Sequence, residues 1–195
     1  MGICDSKSKI NIQQKQTFNT RQRQGIIFIG QHRCGQTAIC NRITSGNFVC
    51  KHNDELICNC VGYKNKQVDI IDVAGFKDRT SISESLQYFE QCQYAVVVFN
   101  MIQNNWQEQV DNRIKFITRI DKEIQIILVA SKLDLYSGDL EDFEQCARDH
   151  GYPLIYCSAK TGQGIDELKQ QCGLSSPNET RENSQQAYVE ENYMQ

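Results

Sequence analysis

Between residues 30 and 37 the chain reads Gly30-Gln31-His32-Arg33-Cys34-Gly35-Gln36-Thr37. An apolar run precedes this stretch and a helical pattern follows it. Glycines at that spacing let backbone N–H groups close around an anion, and the first turn of the helix adds positive potential. A threonine hydroxyl at position 37 can ligate Mg²⁺. The phosphate-gripping form of this pattern carries lysine just before the Ser or Thr. Here Gln36 stands in that place. It keeps a donor amide and loses a cation, and charge-assisted hydrogen bonds are about twice as strong as neutral ones. The expected loss in phosphate binding is roughly 2–4 kcal/mol, by analogy with truncating one partner of a buried charge pair. Arg33 offers a bidentate guanidinium as a substitute cation. Its plainer reading is a solvent-facing loop charge beside His32.

Three further clusters follow predicted strands. They are Asp72-Val-Ala-Gly75, Ser131-Lys-Leu-Asp134 and Cys157-Ser-Ala-Lys160. Near the start, Met1-Gly2-Ile3-Cys4-Asp5-Ser6 fits the N-myristoylation pattern, with Gly2 as acceptor after removal of Met1. A single myristoyl chain holds a membrane only marginally. Cys4 is a natural second, palmitoylated position, and Lys7 and Lys9 favour acidic lipid. The expected location is cytoplasmic, lipid-anchored to the cytosolic face of a membrane. Cys50, His52, Cys58 and Cys60 raise a zinc alternative. Cys-x-Cys spacing is unusual for zinc, however, and cysteine commonly serves as a small hydrophobe.

The elements that must position these residues can be read from periodicity. Buried strands are predicted at 25–30, 56–63, 67–71, 94–99, 124–130 and 154–157. Helices are predicted at 37–45, 81–92, 106–120, 139–150 and 164–171. Alternation of this kind gives an α/β fold: a mostly parallel six-stranded sheet flanked by helices on both faces, with ligands at the carboxyl ends of the strands. The 195 residues are expected to divide into a flexible polar arm (1–24), one domain (25–173) and a disordered, acidic tail (174–195). The arm holds five basic residues against Asp5, and the tail four glutamates against Arg181. A net charge of -3 supplies no field for nucleic acid. No apolar stretch reaches the 18 or more residues a transmembrane helix needs. The ten cysteines are expected to stay reduced, with no disulfide framework.

Taken in order, these motifs resemble those of the Ras superfamily, in its Rab-like branch, over about residues 25–172. The resemblance implies a P-loop NTPase fold, a Ras-like G domain. It also implies a GTP/GDP site with Mg²⁺, GTPase activity and effector proteins as partners. Gly30, His32, Arg33, Cys34, Gly35, Gln36 and Thr37 would form the phosphate loop, and Thr37 with Asp72 the Mg²⁺ site. Asp72 and Gly75 would sense the γ-phosphate. Phe48 would lie against the base, and Lys132 would lay its stem along it. Asp134 would accept from the guanine N1 and N2 hydrogens. Ser158, Ala159 and Lys160 would close the base site, with the Ala159 N–H on the guanine carbonyl.

Departures from the family pattern point to weak hydrolysis or none. Phe76 stands where a glutamine orients the attacking water, and it cannot hydrogen-bond. No threonine occurs between Thr44 and Thr80 to serve a first switch loop. Ser131 replaces an asparagine that ties the loops together, and a loss of rigidity is expected there. No cysteine follows Cys172, so the lipid signal of the arm stands in place of C-terminal prenylation. The alternative is a nucleotide-independent pseudo-GTPase acting as a scaffold.

Overall fold

The computed structural model describes residues 23–49, 57–63, 66–73 and 88–174, with residues 57–63, 66 and 67 described at the backbone only. In chain order the elements are β1 (Gly25–Gly30), α1 (Gln36–Ser45), β2 (Ile57–Tyr63), β3 (Lys66–Val73), β4 (Cys92–Asn100), α2 (Trp106–Ile120), β5 (Gln125–Ser131), α3 (Glu141–His150), β6 (Leu154–Cys157) and α4 (Ile165–Gln171). They form one six-stranded sheet in the order β2-β3-β1-β4-β5-β6. Only the β2–β3 pairing is antiparallel.

Strand β1 is buried at every residue, as its unbroken apolar run requires. Alternate side chains feed two cores. Ile27, Ile29, Val97 and Leu128 meet α2 and α3 through Val110, Ile114, Ile117 and Phe143. Ile26, Phe28, Val96 and Val129 meet α1 and α4 through Ile39, Ile43, Ile165 and Leu168. The period-2 alternation of strands thus decides which helix pair each residue faces. The β1 connection runs to one side of the sheet and the β4 connection to the other. That reversal opens a crevice beyond their carboxyl ends.

Two boundaries differ from the sequence reading. Cys92 begins β4 and pairs with Gly25, rather than ending a helix over 81–92. Only residues 88 and 89 are helical in the described part of that span. Leu174, placed in the tail by its polar neighbours, is 3% exposed, and its N–H donates to the Lys169 carbonyl at 2.8 Å. Composition of a following segment says little about one apolar residue that caps a core. The arm before residue 23 and the tail after 174 lie outside the described residues.

Candidate functional site: a base loop facing an inward-turned glutamine

The loop leaving β1 is held shut by close contacts. A Cβ on Gly30 would fall 2.3 Å from Cys34 Sγ and 2.7 Å from the Val98 carbonyl oxygen, so only glycine fits. Gly35 has φ +97°, a conformation open to glycine at little cost. Arg33, at φ +63°, bends the loop beside it. The Cys34 N–H donates to the Gln31 carbonyl at 3.0 Å. The Cys34 side chain is buried, and burial pushes its thiol up to about 11. His32 and Arg33 are exposed at the loop tip.

Gln36 does not face the crevice. It is 5% exposed. Its Nε2 donates to the Phe28 carbonyl at 2.9 Å, the Val73 carbonyl at 2.8 Å and the Asp72 carboxylate Oδ1 at 2.6 Å. All three partners are acceptors, so the orientation of the amide is dictated: reversed, its oxygen would face three oxygens. The pairing of Phe28 with Asp72 across β1 and β3 brings these acceptors together. The sequence reading set Gln36 toward phosphate. The structure commits its amide to the sheet instead, because the shorter side chain finds its acceptors at the base of the loop.

Asp72 is 1% exposed. Burial raises its carboxyl above the ordinary value, and hydrogen bonds to Thr37 and Gln36 draw it partly back. The Mg²⁺ ion that the family implies would rely on Thr37 and Asp72. Mg²⁺ demands near-octahedral oxygen geometry and keeps several waters. Here Gln36 Nε2 already donates to Asp72 Oδ1, and Thr37 is engaged with the same carboxylate. The described donor set does not fit the ion. Among the described residues no group of three or more His, Cys, Asp or Glu is placed to hold a metal.

The loops after β5 and β6 are assembled differently. Ser131, 2% exposed, donates its hydroxyl to the Cys34 carbonyl, linking the end of β5 to the phosphate loop. The tie between the two loops that the family pattern gives to asparagine is made here by this hydroxyl. Lys132 adopts φ +64°, and its Cε lies 3.9 Å from where a Gly35 Cβ would stand, so its stem crosses the loop. Asp134 sits in a 3-10 turn, Leu133–Leu135. Its side chain is 14% exposed. The Ser158 hydroxyl donates to Asp134 Oδ1 at 2.6 Å, and the Thr161 N–H donates to that hydroxyl at 3.1 Å. Lys160 Nζ stands 4.0 Å from Asp134 Oδ2. Ala159 is half-buried between them.

Two supporting features were not evident in the sequence. The Ser158 N–H donates to the Gln163 carbonyl at 3.0 Å, folding the 158–163 loop on itself. Arg42 of α1 lies against it, Nη2 being 2.8 Å from where a Gly162 Cβ would stand. The glycines at 162 and 164 were the available signal. Both take positive φ.

Phe48, expected against the base, is 43% exposed just beyond α1. Gly75, Phe76, Cys50, His52, Gly2 and Cys4 lie outside the described residues. Cys58 and Cys60 lie on β2, with their side chains outside them. The six cysteines whose side chains are described are buried thiols, none of them in a disulfide.

A mostly parallel sheet with a glycine-closed loop after β1, an acid near the end of β3 and a carboxylate–hydroxyl pair after β5 and β6 defines a P-loop α/β domain of the Ras-like kind. The model of the Ras family matches residues 25–174, and the chain belongs to that family. It is similar to the Ras-related protein Rab-24 of Dictyostelium discoideum, with 27% identity over 158 residues, 74% of this chain and 76% of that protein. It is also similar to the tRNA modification GTPase MnmE of Shewanella oneidensis, 24% identical over 179 residues, and to that of Shewanella amazonensis, 25% identical over 179 residues. Those two matches take in 86% of this chain and 39% of each MnmE, so the chain spans well under half the length of those relatives.

Proposed function

We propose that the protein binds guanine nucleotide, held mainly through the base, and hydrolyses GTP weakly or not at all. The observation that carries this reading is the Asp134–Ser158 pair, sheltered and pre-set at 2.6 Å, opposite a phosphate loop whose Gln36 is turned inward. A carboxylate there presents two acceptors to the guanine N1 and N2 hydrogens, an edge that adenine lacks. Phe76 at the water-orienting position supports impaired hydrolysis.

In this reading the protein acts at a membrane, in trafficking or signalling, through effector or complex proteins. Acyl chains on Gly2 and Cys4 tether it. The similarity to a Rab-related protein supports such a role. The likeness to a tRNA modification GTPase does not extend the reading to nucleic acid, because a net charge of -3 gives no electrostatic footprint for it. The inward Gln36 also favours a second reading, a nucleotide-independent scaffold on the same fold.

Nucleotide content of the purified protein separates the two. Co-purified GDP or GTP is expected, with binding weakened by at least about 100-fold in Asp134→Ala, which removes two hydrogen bonds to a charged group. An empty protein that ignores millimolar GTP means the scaffold reading is right. For the tether, Gly2→Ala is expected to move the protein to the soluble fraction. Unchanged membrane association removes that part of the proposal.

A further inference from the structure

We infer that Gln36 acts as an internal clamp that takes over the restraint of Asp72, so that guanine-nucleotide binding by this protein does not depend on Mg²⁺. The inference deepens the proposed function and rests on its reading of the base site. It starts from the arrangement at the foot of the loop. One amide nitrogen serves a carbonyl within β1, the carbonyl that ends β3 and a carboxylate at 2.6–2.9 Å, almost wholly out of water.

Such a group does not swing out to meet a ligand at little cost. Release would take a donor from the buried Asp72 carboxylate and from the Phe28 and Val73 carbonyls, and a buried acceptor left short of its donor costs on the order of 1–3 kcal/mol. A glutamine is also one bond shorter than a lysine, and it is spent on the sheet. No metal is then needed to hold Asp72. Its Oδ1 accepts from Gln36, and Thr37 is engaged with the same carboxylate. A hydrated Mg²⁺ would have to displace a donor already in place. Among the described residues, what remains for a nucleotide is backbone N–H of the loop, the helix end and the base contacts, none of which uses the ion.

The full chain is titrated with a fluorescent GDP analogue in millimolar MgCl2 and again in excess EDTA. Wild-type affinity is expected to change by less than about twofold, under 0.5 kcal/mol. Gln36→Lys, which frees Asp72 and restores a cation, is expected to bind more tightly in MgCl2 and to lose about tenfold in EDTA, 1.4 kcal/mol. Loss of about tenfold by the wild type in EDTA overturns the inference. If no GDP binds in either condition, the base-site reading fails and this inference falls with it. A nucleotide-free measurement tells the two failures apart. The Gln36 side-chain amide protons, followed by ¹⁵N NMR, are expected to exchange slowly and to ignore added MgCl2. A clear shift with MgCl2 shows that the clamp itself is wrong, whatever GDP does.

Discussion

Ser131 shows how one side chain can preserve a link while changing its chemistry. Its buried hydroxyl bonds the Cys34 carbonyl, joining the base loop to the phosphate loop across 97 residues of sequence. Ser131→Ala leaves that carbonyl without its partner in a dry site. The expected cost is about 1–2 kcal/mol, read as a lower urea midpoint with an unchanged slope. Ser131→Asn puts back a donor amide and is expected to cost less than Ser131→Ala. Equal losses in both variants would mean that the pocket around Ser131, not the bond, sets the stability. Position 131 was legible in sequence as a substitution, and so was Gln36. Their directions were not. Which acceptor a side chain finds depends on strand register, here Phe28 beside Asp72 and Asn100 beside Ser131. Residue identity alone does not carry register.

The elements were more legible than the contacts between them. Helix α2 matches its periodicity because Val110, Ile114 and Ile117 must share a face to be buried. Strands β1 and β6 match because glycine and proline punctuate short apolar runs. The Cys92 boundary was missed since the sequence there suits either a helix end or a strand start, and pairing with Gly25 decides it. The loop between β6 and α4 is the element on which the base site leans hardest. Gly164 has φ +74°, and a Cβ there would lie 1.9 Å from the Tyr156 carbonyl oxygen. Gly164→Ala therefore forces backbone apart beside Ser158. A loss of at least about 2 kcal/mol is expected from a strained conformation combined with a clash. Guanine affinity should fall with it, because Ser158 positions Asp134. Gly46→Ala, where a Cβ meets nothing within 4 Å, controls for positive φ alone. If both variants unfold at the same urea concentration, the close approach at 164 has no separate energetic weight.

On the scale of the whole molecule, the thiols make the core sensitive to alkali. Cys40, on the α1 face of the sheet, is held well above its ordinary value of 9.0 by burial. Burial pushes Cys157 and Cys172 up to about 12 on that same face, and Cys34 up to about 11. In the unfolded chain these thiols ionise near their ordinary value. In the folded chain they keep their protons. Above pH 9 the unfolded state therefore binds fewer protons than the folded one, and stability falls as pH rises. The stabilisation is whole below the unfolded value and drains away toward pH 11 to 12, where the folded thiols titrate. Each thiol contributes a slope of up to about 1.4 kcal/mol per pH unit inside that window. Melting temperature is expected to fall steadily between pH 9 and pH 11, well before buried strands are reached by solvent in the native state. Tyrosines and lysines titrate there too, so the decisive comparison is between slopes. Cys40→Ala loses stability at every pH by leaving a small cavity, but its alkaline slope should be shallower than the wild type's by one thiol's share. Parallel slopes for the two proteins would show that Cys40 does not resist ionisation in the fold, and that the alkaline transition begins elsewhere.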